Sequence, residues 1–214
     1  MKYKVILFLL LGVYSCAPTR FIEPIEEGQH AGSFSLGGSL IDYNNTTLAV
    51  PLTSMTYAYG LKKNTSLWAS LHTTSLLFNN LQLDLGVLYQ IKAQEGYFPG
   101  ISKSLQLNYI TELSDGNTKF WPQLDGNAFW RLFEKHRIHL GYSLWIDTQM
   151  LDEQKIALIH PHLGYSYKKN LWDFGIELKL LAPSYDNTKV FLPYQSIFGD
   201  KGATGLYFFI TKRF

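Results

Sequence analysis

The sequence predicts an all-β protein, a closed antiparallel up-and-down transmembrane β-barrel of about ten strands. Three observations predict it. Apolar and polar residues alternate with a period of two through most of the chain after residue 30. The polar half of the alternation is made of Ser, Gly, Thr, Asn, Gln and His rather than of Lys and Glu. Beyond the first few residues there is no run of about 18 apolar residues, which rules out a helical transmembrane bundle.

Composition agrees. The 214 residues are 46% hydrophobic and 15% aromatic but only 17% charged, against about 25% charged in ordinary soluble domains. Mean hydropathy is nevertheless −0.05, so uncharged polar residues dilute the apolar ones. So aromatic and weakly charged a chain is not disordered. A net charge of +2 lacks the basic footprint of a nucleic-acid partner. The single cysteine excludes a disulfide framework.

Taken in chain order, the N-terminus reads as an address. Lys2 and Lys4 precede an apolar stretch from Val5 to Val13, too short to span a bilayer as a final anchor. It ends in Val13-Tyr14-Ser15-Cys16. This resembles the lipobox of bacterial lipoproteins: an aliphatic residue, a tolerated one, a small one, then Cys. The resemblance implies cleavage before Cys16, acylation of its sulfur and its new amine (palmitate among the chains), and handling by the lipoprotein-processing machinery. Residues 1–15 are then a signal peptide. Residues 16–29 read as a proline-broken tether, and 30–214 as the barrel domain.

Ten segments alternate: about 31–41, 52–62, 66–77, 81–92, 101–112, 120–133, 137–148, 156–167, 171–181 and 203–214. In the fourth, Leu81, Leu83, Leu85, Val87, Tyr89 and Ile91 share one parity, while Gln82, Asp84 and Gln90 share the other. Successive side chains of a strand point to opposite faces, so one face is apolar and one polar. Turn formers separate the segments: Asn44-Asn45, Lys63-Asn64, Asn79-Asn80, Pro99-Gly100, Asp115-Gly116 and Lys169-Asn170. Pro51, Pro122 and Pro161 fall in or beside strands, where proline removes a ladder donor.

The polar face decides which side is in. A solvated face is rich in Lys and Glu. Small uncharged polar residues fit a narrow interior, and the apolar face left in water would far exceed the patches monomers expose. Lipid therefore lies outside, and a soluble lipocalin-like binder is the alternative. An even strand count puts both termini on one side, the periplasmic side if Cys16 carries the anchor. Tyr57, Tyr59, Tyr89, Trp130, Tyr165, Trp172 and Phe214 gather near that end, as interfacial aromatics do. The last strand, with Leu206, Phe208, Ile210 and terminal Phe214 on one parity and Gly205 and Tyr207 on the other, resembles the C-terminal recognition strand of outer-membrane barrels. That resemblance implies the barrel-assembly machinery as a partner and the bacterial outer membrane, with its lipid, as the location.

Any chemistry then belongs to the lumen. The inward parity carries His72, Asp84, Asp125, Arg131, His139, Asp147, His160, His162, Asp173, Glu177, Lys179 and Arg213. Ten strands leave a bore that side chains largely fill, so these groups must be paired or hydrogen-bonded. A Lys169-Asn170 turn pairs Lys168 with Leu171, setting His162 opposite Glu177 and His160 opposite Lys179. Depth along the strands suggests an acidic outer vestibule over a basic floor, or else a charge-balanced plug. Omptin-like proteases are ten-stranded barrels with Asp and His at the outer mouth, and Asp125 with Asp147 is the candidate carboxylate pair. No histidine matches their depth, and no Gly-x-Ser-x-Gly or His-Glu-x-x-His motif is present. His160-Pro-His162 lacks visible third and fourth metal ligands. The reading is a lipid-anchored barrel with a largely plugged lumen and a structural or surface-binding role, with no catalytic residues, metal or cofactor. The alternatives are a narrow pore or an omptin-like or lipase-like enzyme. The apolar loop 182–202 is expected to fold onto the barrel mouth and meet an unknown extracellular partner.

Overall fold

The computed structural model describes residues 21–146, 157–188 and 193–214. The proposed lipobox with Cys16, the luminal candidate Asp147, and Val190, Phe191 and Leu192 of the long loop lie outside them. Among the described residues eleven strands form one sheet. They are β1 (His30–Tyr43), β2 (Thr46–Ala49), β3 (Leu52–Lys62), β4 (Thr65–His72), β5 (Asn80–Lys92), β6 (Gly100–Glu112), β7 (Thr118–Leu132), β8 (His136–Ile146), β9 (Ala157–Lys169), β10 (Trp172–Asp186) and β11 (Lys201–Arg213). β1 pairs with β3, from β3 onward neighbours in sequence pair antiparallel, and β11 returns to β1 with Ala31 opposite Arg213 and Ser39 opposite Gly205. The wall is a closed ten-stranded barrel. β2 is not part of it: Asn44 and Asn45, both left-handed at φ 53° and 60°, turn the chain so that β2 pairs only with the outer end of β1.

The alternation reads out as an inside and an outside. On β5 Gln82 and Asp84 are buried while Leu83, Leu85 and Tyr89 are exposed. On β6 Ser102, Ser104, Gln106 and Asn108 are buried and Leu105 and Leu107 are about half exposed, at 53% and 48%. The exposed belt is therefore the apolar one, and the buried set is mostly polar. An apolar belt around a closed wall, with no free sheet edge, is the arrangement hydrocarbon tolerates and water does not. Tyr57, Tyr59, Tyr89, Tyr165, Trp172 and Phe214 are exposed on this outer face near the end where β1 begins and β11 finishes. The two histidines outside the luminal set join them there. His30 Nδ1 hydrogen-bonds the Tyr57 hydroxyl, and His136 Nδ1 that of Tyr165 at 2.7 Å.

Four expectations need correction. The segment expected as a strand over 66–77 stops at His72, and Thr73–Leu77 is a helical turn, α1. Its hydroxyls take the chain out of the ladder, since the Thr53 amide donates to Thr74 Oγ1 at 2.8 Å and Ser75 Oγ to Gln82 Oε1 at 3.0 Å. The strand expected to end at residue 181 runs to Asp186, across an irregularity after Leu181. The β9–β10 register is two residues from the one expected. Asn170, at φ 55°, and Leu171 are the turn, so Trp172 pairs with Lys169, Glu177 faces Gly164 and Lys179 faces His162. Finally, residues 21–29 have no regular structure, as a tether would not, but they are no free tether: Phe21, Ile22, Glu23 and Ile25 are all buried.

Pro122 and Pro161 each fall at the end of one of their two ladders. Pairing of β7 with β8 begins at Gln123, just after Pro122. Pairing of β9 with β10 ends at His162, just after Pro161. Beyond that point the amide of Ala182 donates instead to His160 Nδ1 at 3.0 Å, so a side chain replaces the missing ladder contact.

Candidate functional site

The lumen is layered along the barrel axis. At the end bearing the termini, Ala31, Ala58, Trp68 and Leu88 break the polar rule of the inner face. Residues 21–29 enter here and Phe21 and Ile25 pack on that apolar patch. The segment's backbone is bonded to the wall: the Ile25 amide donates to Ser66 Oγ at 2.7 Å, Ser102 Oγ donates to the Ile22 carbonyl at 2.7 Å, and the Gly28 amide donates to the Gly60 carbonyl at 2.9 Å. Glycine at 60 is required by close approach, because a Cβ there would stand 1.9 Å from the Glu26 carbonyl oxygen.

Glu23 is the charged member of this segment. Arg131 grips its carboxylate through Nε and Nη2, and Arg137 Nη1 lies 3.8 Å away. Burial pushes the Glu23 carboxyl up, but the charge of Arg137 together with the hydrogen bond and charge of Arg131 outweigh it and hold the pKa below its ordinary 4.5. Arg213 Nη2 binds Asp173 at 3.0 Å beside them. A cavity of about 220 Å³ opens at this mouth, lined in part by Glu23, Arg131, Arg137, Ser166, Asp173 and Arg213. The basic floor expected from Arg131 and Arg213 is thus real, but Glu23 and Asp173 balance it. Glu23 and Arg137 were missed in the sequence; Glu23 sits in a stretch without strand pattern, which hid it.

Above this layer the polar candidates come together in rows. His72 Nε2 hydrogen-bonds Asp84 Oδ2 at 2.8 Å. Asp125 accepts from Ser104 at 3.1 Å and from Gln123 at 2.7 Å. His139 Nε2 lies 3.1 Å from Glu177 Oε2, and Lys179 Nζ lies 3.4 Å from Glu177 Oε1. His162 Nε2 meets Asn127 Oδ1 at 2.8 Å. The expected His162–Glu177 hydrogen bond is therefore replaced by His139–Glu177. Gly164 lies between that pair in the wall, facing His139 on one side and Glu177 on the other, and its missing side chain lets the imidazole lie across it.

The acidic outer vestibule is not present among the described residues. Asp84, Asp125 and Glu177 are each 5% exposed or less and engaged with partners. Nearer the outer end the lumen turns apolar again, with Ile110, Trp121 and Trp145 in one cluster and Leu181, Ala203, Tyr207, Leu52 and Tyr194 in another. The described part of the long loop after residue 192 folds onto this mouth: the Gln195 amide donates to the Leu40 carbonyl at 2.8 Å, and Tyr194 bridges to Ile41.

One row carries triad residue types. Asp125 faces Ser143, and Ser143 faces His160. A serine relay needs the imidazole between serine and carboxylate; here the serine stands in the middle, and His160 Nδ1 is engaged with the backbone of Ala182.

No family model matches the sequence, and no curated protein does. Among solved structures, the translocator domain of the autotransporter NalP from Neisseria meningitidis is similar at 9% identity and a TM-score of 0.43, over 100% of this chain and 95% of that one. Ail, the attachment invasion locus protein of Yersinia pestis, is similar at 8% identity and 0.29, over 88% and 99%. The outer membrane phospholipase A of Escherichia coli is similar at 9% identity and 0.32, over 95% and 96%. These likenesses are of barrel architecture only.

Proposed function

We propose that this chain is a lipid-anchored barrel of the bacterial outer membrane whose lumen is closed by its own N-terminal segment, with a structural or surface-binding role rather than a conducting one. The observation that carries the reading is the seating of residues 21–25 inside the wall, with Ile25 fully buried and Glu23 held by two arginines. A segment so placed has its start close to the mouth, and an acylated Cys16 a few residues upstream lies within reach of the adjacent leaflet. That leaflet is then the periplasmic one, and α1 with the hairpin of β1 and β2 and the loop around Tyr194 forms the surface available to an extracellular partner. Metabolic labelling with palmitate, lost in Cys16→Ser, tests the anchor.

Planar-bilayer recording tests closure. The folded wild-type barrel is expected to be electrically silent, and a variant lacking residues 21–27 to show small, frequent openings. Steady conductance in the wild type would contradict the reading and favour a narrow pore entered through the cavity at the mouth beside Glu23.

A further inference from the structure

Three luminal side chains on three adjacent strands share a geometry that a polar filler does not require. His139 on β8, His162 on β9 and Glu177 on β10 each offer a ligand atom within 4.8 Å of the other two. We propose that they form a binding site for one divalent transition-metal cation of the Zn²⁺ class.

Two imidazoles and one carboxylate are a donor set that suits zinc and its neighbours in the series. One edge of the polyhedron is nearly formed. His139 Nε2 and Glu177 Oε2 are 3.1 Å apart, whereas metal bonds of about 2.0–2.2 Å at tetrahedral angles put ligand atoms about 3.3–3.5 Å apart. A fourth donor, an amide oxygen, is at hand in Asn127 Oδ1, 2.8 Å from His162 Nε2. The three ligands are 2% exposed or less, so water competes little. Glycines clear the space: a Cβ at Gly164 would stand 2.1 Å from His139 Cε1, and one at Gly141 2.5 Å from His162 Nε2.

Lys179 sets the strength of the site. Its ammonium lies 3.4 Å from Glu177 Oε1 and neutralises the carboxylate when no cation is bound. A metal on Oε2 shares that carboxylate with it, so Lys179 weakens affinity. The imidazoles bind as neutral rings, and any proton they carry is released to solvent. The cavity of about 220 Å³ at the mouth comes within one row of the site: Arg137 and Ser166, which line it, lie two residues from His139 and Gly164 in register.

The test titrates the full chain, folded in detergent and free of any polyhistidine tag, with Co²⁺ as a spectroscopic stand-in for Zn²⁺. One Co²⁺ per chain is expected, with the intense visible bands of four-coordinate cobalt, displaced by Zn²⁺. Glu177→Gln and His139→Gln should each weaken binding by about 10–100-fold, the range seen when a metal site loses a fixed partner. Lys179→Met should tighten it by about tenfold or more, since it removes a like charge at close range. A His30→Ala, His136→Ala double variant, which alters only the partly buried imidazoles outside the luminal set, should bind as the wild type does. Absence of stoichiometric binding to the folded wild type overturns the proposal, as does a cobalt signal that disappears with His30 and His136.

Discussion

At the scale of single residues, each described luminal carboxylate has a hydrogen-bond donor in reach, and most have a cation or an imidazole. Glu23 is the clearest case because it ties a non-strand segment to two strands. Its pKa is held below the ordinary 4.5 chiefly by Arg137 and Arg131 working against burial. The sign follows by linkage. A carboxyl whose folded pKa is depressed contributes stability that is complete above its unfolded pKa and is lost as pH falls through the folded value. Glu23→Gln is thus expected to lower stability at neutral pH by about 1–3 kcal/mol, chiefly the cost of leaving the largely buried Arg137 guanidinium without its carboxylate. The difference between wild type and variant, followed by thermal unfolding in detergent, should shrink as pH drops below about 4.5. A difference that stays constant or grows on acidification would contradict this role.

At the scale of elements, alternation carried most of the information, and its limits are visible in the same strands. The inward and outward sets of β5, β7, β8 and β9 follow from parity, and so do the inward positions of His72, Asp84, Asp125, His139, His160, His162, Asp173, Glu177 and Lys179. Parity is blind to a slip of two residues, which returns every side chain to its own face. That is why the β9–β10 register was not legible, and with it the partner of Glu177. Which residue of Lys169-Asn170-Leu171 begins the turn is decided by the left-handed backbone of Asn170, a single local preference. The buried segment 21–29 left a fainter trace. Ala58, Trp68 and Leu88 are apolar residues on an otherwise polar parity, and inward apolar positions at one end of a barrel call for an apolar occupant. Gly60 makes this testable. In Gly60→Ala the new methyl meets the backbone carbonyls of Glu26 and Ile25, which cannot yield as a side chain would. The wall should persist, destabilised by about 1–3 kcal/mol, while residues 21–27 become cleavable by protease. Wild-type resistance of that segment would show that its seat does not depend on Gly60.

At the scale of the whole molecule, the barrel is inverted relative to a soluble one. Its belt of Leu, Ile, Phe and Tyr is large and continuous, and its described interior carries polar pairs in the middle and apolar clusters at both ends. The apolar outer belt and polar filling imply a lipid environment, and the closed ladder removes the edge that would otherwise aggregate.

The most direct test of this inversion is site-directed spin labelling of Leu105→Cys, Gln106→Cys and Leu107→Cys, three successive residues of β6, in the barrel reconstituted into bilayers with Cys16 replaced by Ser. Labels at 105 and 107 are expected to be relaxed strongly by oxygen, which partitions into hydrocarbon, and weakly by a water-soluble nickel chelate. The label at 106 should be shielded from oxygen. The opposite pattern, with 106 facing lipid or 105 and 107 buried against one another, would contradict the account at its root.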